Sequence, residues 1–223
     1  MDDLFATTAS TFQPARGLPG LQSRGPSHLA VRRLHRHHAG VARATARQPK
    51  TDRLFFAVRP DPETAGEIAQ RTGHWRAKHG LTGKPLKPEH LHVTLCHVGD
   101  ATGTLSVELI EALAERAAAV AMPAFRVEFD RVMSFRNGAF VLCGDESVIG
   151  LEVLQQRLSD ALDASPRPAR RFVPHVTLLR DSRHIAEQPI ERIGWTAREV
   201  VLVHSLPGQT THRDLVRMPL RQA

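Results

Sequence analysis

The sequence predicts an α+β fold made of two related lobes. Two observations carry that prediction. Helical stretches alternate with hairpin-connected strands, a pattern of layered α+β structure. The tetrapeptide His-Val-Thr-Leu also occurs twice, at His92–Leu95 and at His175–Leu178, 83 residues apart. Each copy sits on a predicted strand near a predicted helix of similar length. That reads as duplication of a lobe, because the period is too long for a solenoid repeat.

Ordered structure is expected from Arg53 onward. Leu54-Phe55-Phe56-Ala57-Val58 is a buried strand. Asp61, Pro62 and Glu63 supply an N-cap, a first-turn proline and an acidic first turn for a helix running to His79, where Gly80 stops it. Gly83, Pro85 and Pro88 make a loop, and Leu91–Val98 is the strand of the first tetrapeptide. Leu105, Leu109, Leu113 and Ala117 repeat at helical spacing over 104–120. Phe125–Phe135 and Ala139–Cys143 are two strands joined at Asn137-Gly138, a hairpin signal. A helix over 147–163 places Ile149, Val153, Leu154, Leu158 and Leu162 on one face. Phe172–Leu179 carries the second tetrapeptide, Val200–His204 is a further strand, and Asp214–Leu220 is a candidate to pair with it. Pro207-Gly208 marks a turn between them.

The net charge of +7 is uneven. Residues 1–50 hold 8 Lys/Arg against Asp2 and Asp3, whereas the other 173 residues hold 22 against 21 acids. A global argument for nucleic-acid binding from charge therefore misleads. The first 50 residues read as a disordered basic extension, and 51–223 as one domain. The cluster Arg32-Arg33-Leu34-His35-Arg36-His37-His38 is read as a solvated tail, with RNA or DNA contact as the alternative. No apolar run reaches the roughly 20 residues that span a bilayer. Two widely spaced cysteines, Cys96 and Cys143, argue against a disulfide framework and leave a reducing cytosol as the default compartment.

The chemistry is expected at the doubled tetrapeptide. A strand points residues i and i+2 to one face. Each copy thus offers an imidazole and a hydroxyl together, His92 with Thr94 and His175 with Thr177, while Val and Leu turn inward. Two such faces would surround one small anion with two acid–base groups, one for each side of an in-line displacement. His90, His92, Thr94 and Cys96 share a face by simple alternation, and His-x-His on a strand can bind zinc; the favoured reading is that His90 opens the strand and Cys96 is a small core residue, because further ligands at metal spacing are not evident, so no metal is expected. Arg180, five residues beyond His175, is a candidate for a bidentate phosphate contact. Lys84, Lys87, Arg170 and Arg171 flank the motif strands as a candidate basic rim. Phe135 and Phe140 straddle the hairpin turn; core packing is the expectation, base stacking the alternative. Phosphate-cradling, nucleophile-elbow and dinucleotide motifs are absent.

With RLFFAVRP (53–60), HWRAKHG (74–80), LHVTL (91–95) and FVPHVTLLRD (172–181), the chain resembles the 2H phosphoesterase superfamily. It closely resembles the bacterial RNA 2′,3′-cyclic phosphodiesterase branch, also called 2′-5′ RNA ligase. The resemblance covers 53–221 and leaves 1–50 outside. It implies a bilobal fold around a central cleft and metal-independent, cofactor-free catalysis. It also implies His92 and His175 as the catalytic pair, and Thr94, Thr177 and Arg180 on the phosphate. The family often has a Tyr after its C-terminal Gly turn; this chain has no Tyr, and His212 stands near that place. The implied reaction is hydrolysis of a terminal 2′,3′-cyclic phosphate to a 2′-phosphomonoester, on RNA ends or small cyclic nucleotides; apart from the resemblance, a monomer in the cytoplasm is the simplest expectation. His175 is read as the base and His92 as the acid, an assignment that the symmetry of the motifs leaves reversible. A 2′-5′ ligase, a 2′,5′-oligonucleotide phosphodiesterase and a non-catalytic RNA-binding module are the alternatives.

Overall fold

The computed structural model describes residues 52–101, 105–145, 148–162, 172–206 and 211–221. The basic segment 1–50 with its Arg/His cluster, Arg170, Arg171 and the Pro207-Gly208 turn lie outside them. In chain order the elements are β1 (Asp52–Val58), α1 (Pro62–His79), a 3₁₀ turn (Pro88–His90), β2 (Val93–Ala101), α2 (Val107–Ala118), β3 (Phe125–Ser134), β4 (Ala139–Cys143), α3 (Ile149–Ala161), β5 (His175–Arg180), β6 (Gln188–Ala197), β7 (Glu199–Leu206) and β8 (Thr211–Pro219). No described helix is long and apolar enough to cross a membrane.

Local chemistry sets the ends of α1. The Asp61 carboxylate accepts the Thr64 backbone N–H at 2.9 Å and the Thr64 hydroxyl at 3.0 Å. Gly80 adopts φ 59°, and the Gly80 and Leu81 N–H groups donate to the Ala77 and Arg76 carbonyls. That is a Schellman ending, which a residue with a Cβ adopts only at a cost. The β3–β4 hairpin turns at Gly138, φ 80°, as the Asn-Gly pair predicts.

The eight strands form one antiparallel sheet in the order β6-β3-β4-β5-β2-β1-β7-β8. It consists of two four-stranded halves meeting at its centre, where the motif strands β2 and β5 share a single ladder pair, Val93 with Val176. The unit β1-α1-β2 is matched by β4-α3-β5, each a strand, a helix and a motif strand. One face of the sheet holds the main core: Leu54, Phe56, Val58, Phe140, Leu142, Val176, Leu178, Val200 and Leu202 are buried against side chains of all three helices. The second face has two small apolar patches, Phe55-Ala57-Val201-Val203 in one half and Ala139-Val141-Cys143 in the other.

A seam of one pair is a weak joint for two half-sheets, and the helices reinforce it. α1 follows β1, yet packs on β6 of the other half and sets Trp75 edge-on to Phe140 of β4, centroids 6.5 Å apart. α3 follows β4, yet packs on β2 as well as β3, with Ser159 Oγ 3.3 Å from Cys96 Sγ. Each duplicated unit therefore sends its helix across the seam.

β6 is the one strand the sequence reading leaves out. Its run QPIERIGWTA contains Pro189 and Gly194, which break strand periodicity. Pro is tolerated because β6 is an edge strand, and a bulge opposite Phe129–Arg131 absorbs the irregularity.

The loop Leu81–Leu86 lies along β5. Leu86 N–H donates to Leu178 O at 2.8 Å. The Asp181 carboxylate accepts the Thr82, Gly83 and Arg183 N–H groups at 2.6, 2.7 and 2.8 Å, and these bonds hold it down at about 2. A Cβ on Gly83 would stand 2.0 Å from the Arg180 carbonyl oxygen, a backbone atom that cannot step aside. Gly83→Ala is therefore expected to cost roughly 1–3 kcal/mol and to displace Arg180. Gly73, in α1, has nothing within 4 Å of its added Cβ, and Gly73→Ala is expected to be neutral or stabilising. Thermal melts of the two variants check this; equal melting temperatures would refute the close approach.

Candidate active site

The register at the seam assembles the doubled motif. Stepping one residue either way from Val93–Val176 sets His92 opposite Thr177 and Thr94 opposite His175. Val93, Leu95, Val176 and Leu178 point into the core, so the four polar side chains occupy the second face, as alternation requires. His92, His175 and Thr177 are half-buried there, and Thr94 is exposed.

Both motif strands carry the same bulge. β1 pairs Ala57 with Thr94 and Phe56 with Cys96, skipping Leu95. β4 pairs Val141 with Thr177 and Phe140 with Leu179, skipping Leu178. Simple alternation would send the fifth residue after each His to the core face; one extra residue reverses that. Arg180 thereby returns to the second face beside Ala139, and His97 does so beside Phe55; both are exposed. The bulge turns Cys96 off the face of His90 and His92 and into the core against α3, which agrees with its reading as a small core residue. Among the described residues, no three His, Cys, Asp or Glu side chains are placed to hold a metal ion.

The two imidazoles are held alike. His92 Nδ1 lies 2.7 Å from the His90 carbonyl, and His175 Nδ1 lies 2.7 Å from the Val173 carbonyl. A carbonyl has no proton to give, so each Nδ1 carries the hydrogen. Nε2 is then the nitrogen that titrates in both rings. Each ring also rests on a phenylalanine: Phe55 stacks on His92 with centroids 5.1 Å apart, and Phe135 meets His175 edge-on at 4.8 Å. Phe140, the other candidate aromatic, is fully buried in the main core.

The surroundings of the two rings differ. His212, on β8, stands edge-on to His92 at 5.1 Å and lies 5.1 Å from His90. Arg59 is near and donates to Asp214 Oδ1 at 2.6 Å. Burial, reinforced by His212, Arg59 and His175, pushes His92 down to about 4, against the opposing effect of its bond to the His90 carbonyl. His212 is likewise pushed to about 4, by burial and then by His90 and Arg59, with Asp214 opposing. His175 is lowered too, by burial first and also by Arg180, with the Val173 carbonyl opposing. Both motif histidines are therefore neutral near pH 7.

Arg180 donates to the Asn137 carbonyl at 3.4 Å. Lys87 sits 3.7 Å from Glu89, and Lys84 is exposed on the loop that Asp181 clamps. A cavity of about 1290 Å³ lies between Arg59, His90, His212, Asp214 and the first turn of α1 on one side and Arg126, Gly194, Trp195 and Thr196 of β3 and β6 on the other; neither His92 nor His175 lines it. Arg59, Phe55 and His97 escape the sequence reading because strand pairing across distant segments brings them to the motif. The only sequence cue to them is the odd spacing of Arg180 from His175.

Residues 60–208 match the family described as the 2′-5′ RNA ligase superfamily. The RNA 2′,3′-cyclic phosphodiesterase of Escherichia coli (strain K12) is 30% identical over 179 residues, which cover 76% of this chain and 97% of that protein. The crystal structure of E. coli LigT complexed with 3′-AMP superposes with TM-score 0.63 at 29% identity, over 77% of this chain and 99% of that one. LigT complexed with ATP gives TM-score 0.61 at 30% identity, over 77% and 99%.

Proposed function

The chain belongs to the 2′-5′ RNA ligase superfamily, and from that premise we propose that it is an RNA 2′,3′-cyclic phosphodiesterase, opening a terminal cyclic phosphate to a 2′-phosphomonoester. The observation that carries this reading is the mirrored quartet around Val93–Val176, with both Nε2 atoms available for proton exchange. The E. coli relative bears that activity in its name.

In the proposed reaction, water attacks phosphorus in line with the departing O3′. The neutral His175 Nε2 takes the water proton as the new P–O bond forms. His92 Nε2, protonated, gives its proton to O3′ as that bond breaks. Thr94 and Thr177 hydroxyls donate to the non-bridging oxygens, where charge accumulates, and Arg180 adds a cationic contact. Because its surroundings hold His92 at about 4, the anionic phosphate is the group that raises its proton affinity for this step. With His92 as the acid, the ribose that keeps O2′ and O3′ belongs on the His92 side. Two imidazoles supply both proton transfers, so the reaction is expected to survive excess chelator. A monomeric 51–223 catalytic domain in the cytoplasm, acting on RNA ends or small cyclic nucleotides, belongs to the same proposal.

The second reading, joining or cutting 2′,5′ linkages, uses the same phosphate, because ligation opens the same ring with a 5′-hydroxyl in place of water, and cutting a 2′,5′ linkage is the reverse, closing the ring as the 5′-hydroxyl leaves. Abundant water favours hydrolysis. The test is a chelator-treated comparison of a short RNA ending in 2′,3′-cyclic phosphate with a 2′,5′-linked oligonucleotide of equal length. Faster opening of the cyclic end is expected; faster cleavage of the 2′,5′ linkage would replace this reading with its rival. Retention of RNA without turnover of either would favour a binding module.

A further inference from the structure

The duplicated units bring matching residues to face the two motif histidines. In one half Ala57 stands opposite Thr94 and Val58 opposite Val93; in the other Val141 stands opposite Thr177 and Leu142 opposite Val176. One step further Cys143 stands opposite His175. The same step in the first half brings Arg59, just past the end of β1, opposite His92. At this place the match breaks, with a cation beside one imidazole and a thiol beside the other.

Arg59 spans two elements. Its Nη1 donates to the Glu89 carbonyl at 2.5 Å and its Nη2 to Asp214 Oδ1 at 2.6 Å. The side chain is 13% exposed, so water competes little for these bonds. The Glu89 carbonyl belongs to the 3₁₀ turn that leads into β2. Inside that turn the His90 and Leu91 N–H groups donate to the Lys87 and Pro88 carbonyls. The next two carbonyls, of Glu89 and His90, are left over, as at any helix end. Arg59 takes the first, and His92 Nδ1–H takes the second. The turn that orients His92 is thus braced by Arg59, and Arg59 in turn by Asp214 of β8. Cys143, a short thiol within the small apolar patch, gives His175 no equivalent brace.

We propose that Arg59 is a positioning residue for the reaction: anchored on Asp214, it fixes the turn whose His90 carbonyl keeps the His92 hydrogen on Nδ1 and leaves Nε2 to the substrate. This inference rests on the two-histidine reading of the site. Charge and brace are separable. Burial, His212 and the Arg59 charge lower the His92 proton affinity, and Arg59→Lys keeps that charge without the planar fork that reaches both acceptors.

The test is nitrogen NMR of isotope-labelled histidine near pH 7, with His92→Asn and His175→Asn spectra to assign the two signals. Both rings are expected in the Nδ1–H form in the wild-type protein. In Arg59→Met and Arg59→Lys, His92 is expected to become a mixture of tautomers while His175, the internal check on the fold, stays unchanged. For cyclic-phosphate opening, kcat is expected to fall roughly 10–10²-fold in both variants with KM near wild type, because Arg59 acts through His92 and not on the substrate. A His92 signal unchanged in Arg59→Met would overturn the brace. So would wild-type spectra and kcat in Arg59→Lys, which would leave only a role for charge; that variant decides alone if Arg59→Met does not fold. The tautomer is read without substrate, so a wild-type protein that opens no cyclic phosphate would sink the functional reading while the spectra still decide what Arg59 does to His92.

Discussion

Alanine at His92 or at His175 is expected to lower kcat for cyclic-phosphate opening by roughly 10²–10⁴-fold, the range of a lost proton transfer. The two rings are held by equivalent bonds to the His90 and Val173 carbonyls and by Phe55 and Phe135, so neither substitution removes a main-core side chain. Circular dichroism and melting temperature should stay near wild type, which separates lost chemistry from lost structure. The double variant is expected to lose much less than the product of the single losses, because the two groups serve one displacement. Their roles separate with a substrate whose 3′-oxygen is replaced by sulfur. A thiolate leaves without a proton, so this substrate should rescue His92→Ala and not His175→Ala. Rescue of the opposite variant would exchange the acid and the base.

Anion binding is expected to draw one proton into the site at His92. In the empty site that imidazole sits at about 4, chiefly through burial, with Arg59 and His212 adding to the effect. An anion between the motif strands opposes all three causes and moves it back toward the ordinary value of about 6.5. The sign follows from linkage. Above the bound value neither state holds the extra proton, and below about 4 both do. Between the two limits only the complex holds it, so affinity weakens about tenfold per unit rise in pH and by roughly 10²-fold in all. Sulfate, whose charge is constant across this range, is the suitable probe, with titration calorimetry in buffers of different ionisation enthalpy to count protons. His212, also at about 4 and flanked by His90, His92, Arg59 and Asp214, is the competing titrant. His92→Asn should abolish the uptake if His92 is responsible. Uptake that persists in that variant would assign the proton to His212.

The parts of the fold written in local chemistry were legible from the sequence. Asp61 and Gly80 mark both ends of α1, and Asn137-Gly138 marks the hairpin. The doubled His-Val-Thr-Leu places the quartet because an alternating strand needs no tertiary information. What the sequence hides depends on partners. β6 lacks strand periodicity because an edge tolerates Pro189. Cys96 turns inward, and His97 and Arg180 turn outward, because of a bulge that only the pairing with β1 and β4 reveals. The crossing of α1 and α3 over the seam depends on contacts between distant segments, as do Arg59 and His212 around His92.

The measurement that bears most directly on the central claim is phosphorus NMR of the product formed from RNA ending in 2′,3′-cyclic phosphate. The wild-type protein with excess chelator should yield a 2′-phosphomonoester alone, and His92→Ala and His175→Ala should yield almost none. A 3′-phosphate, a mixture of the two isomers, or undiminished product from either variant would contradict an in-line hydrolysis run by these two histidines.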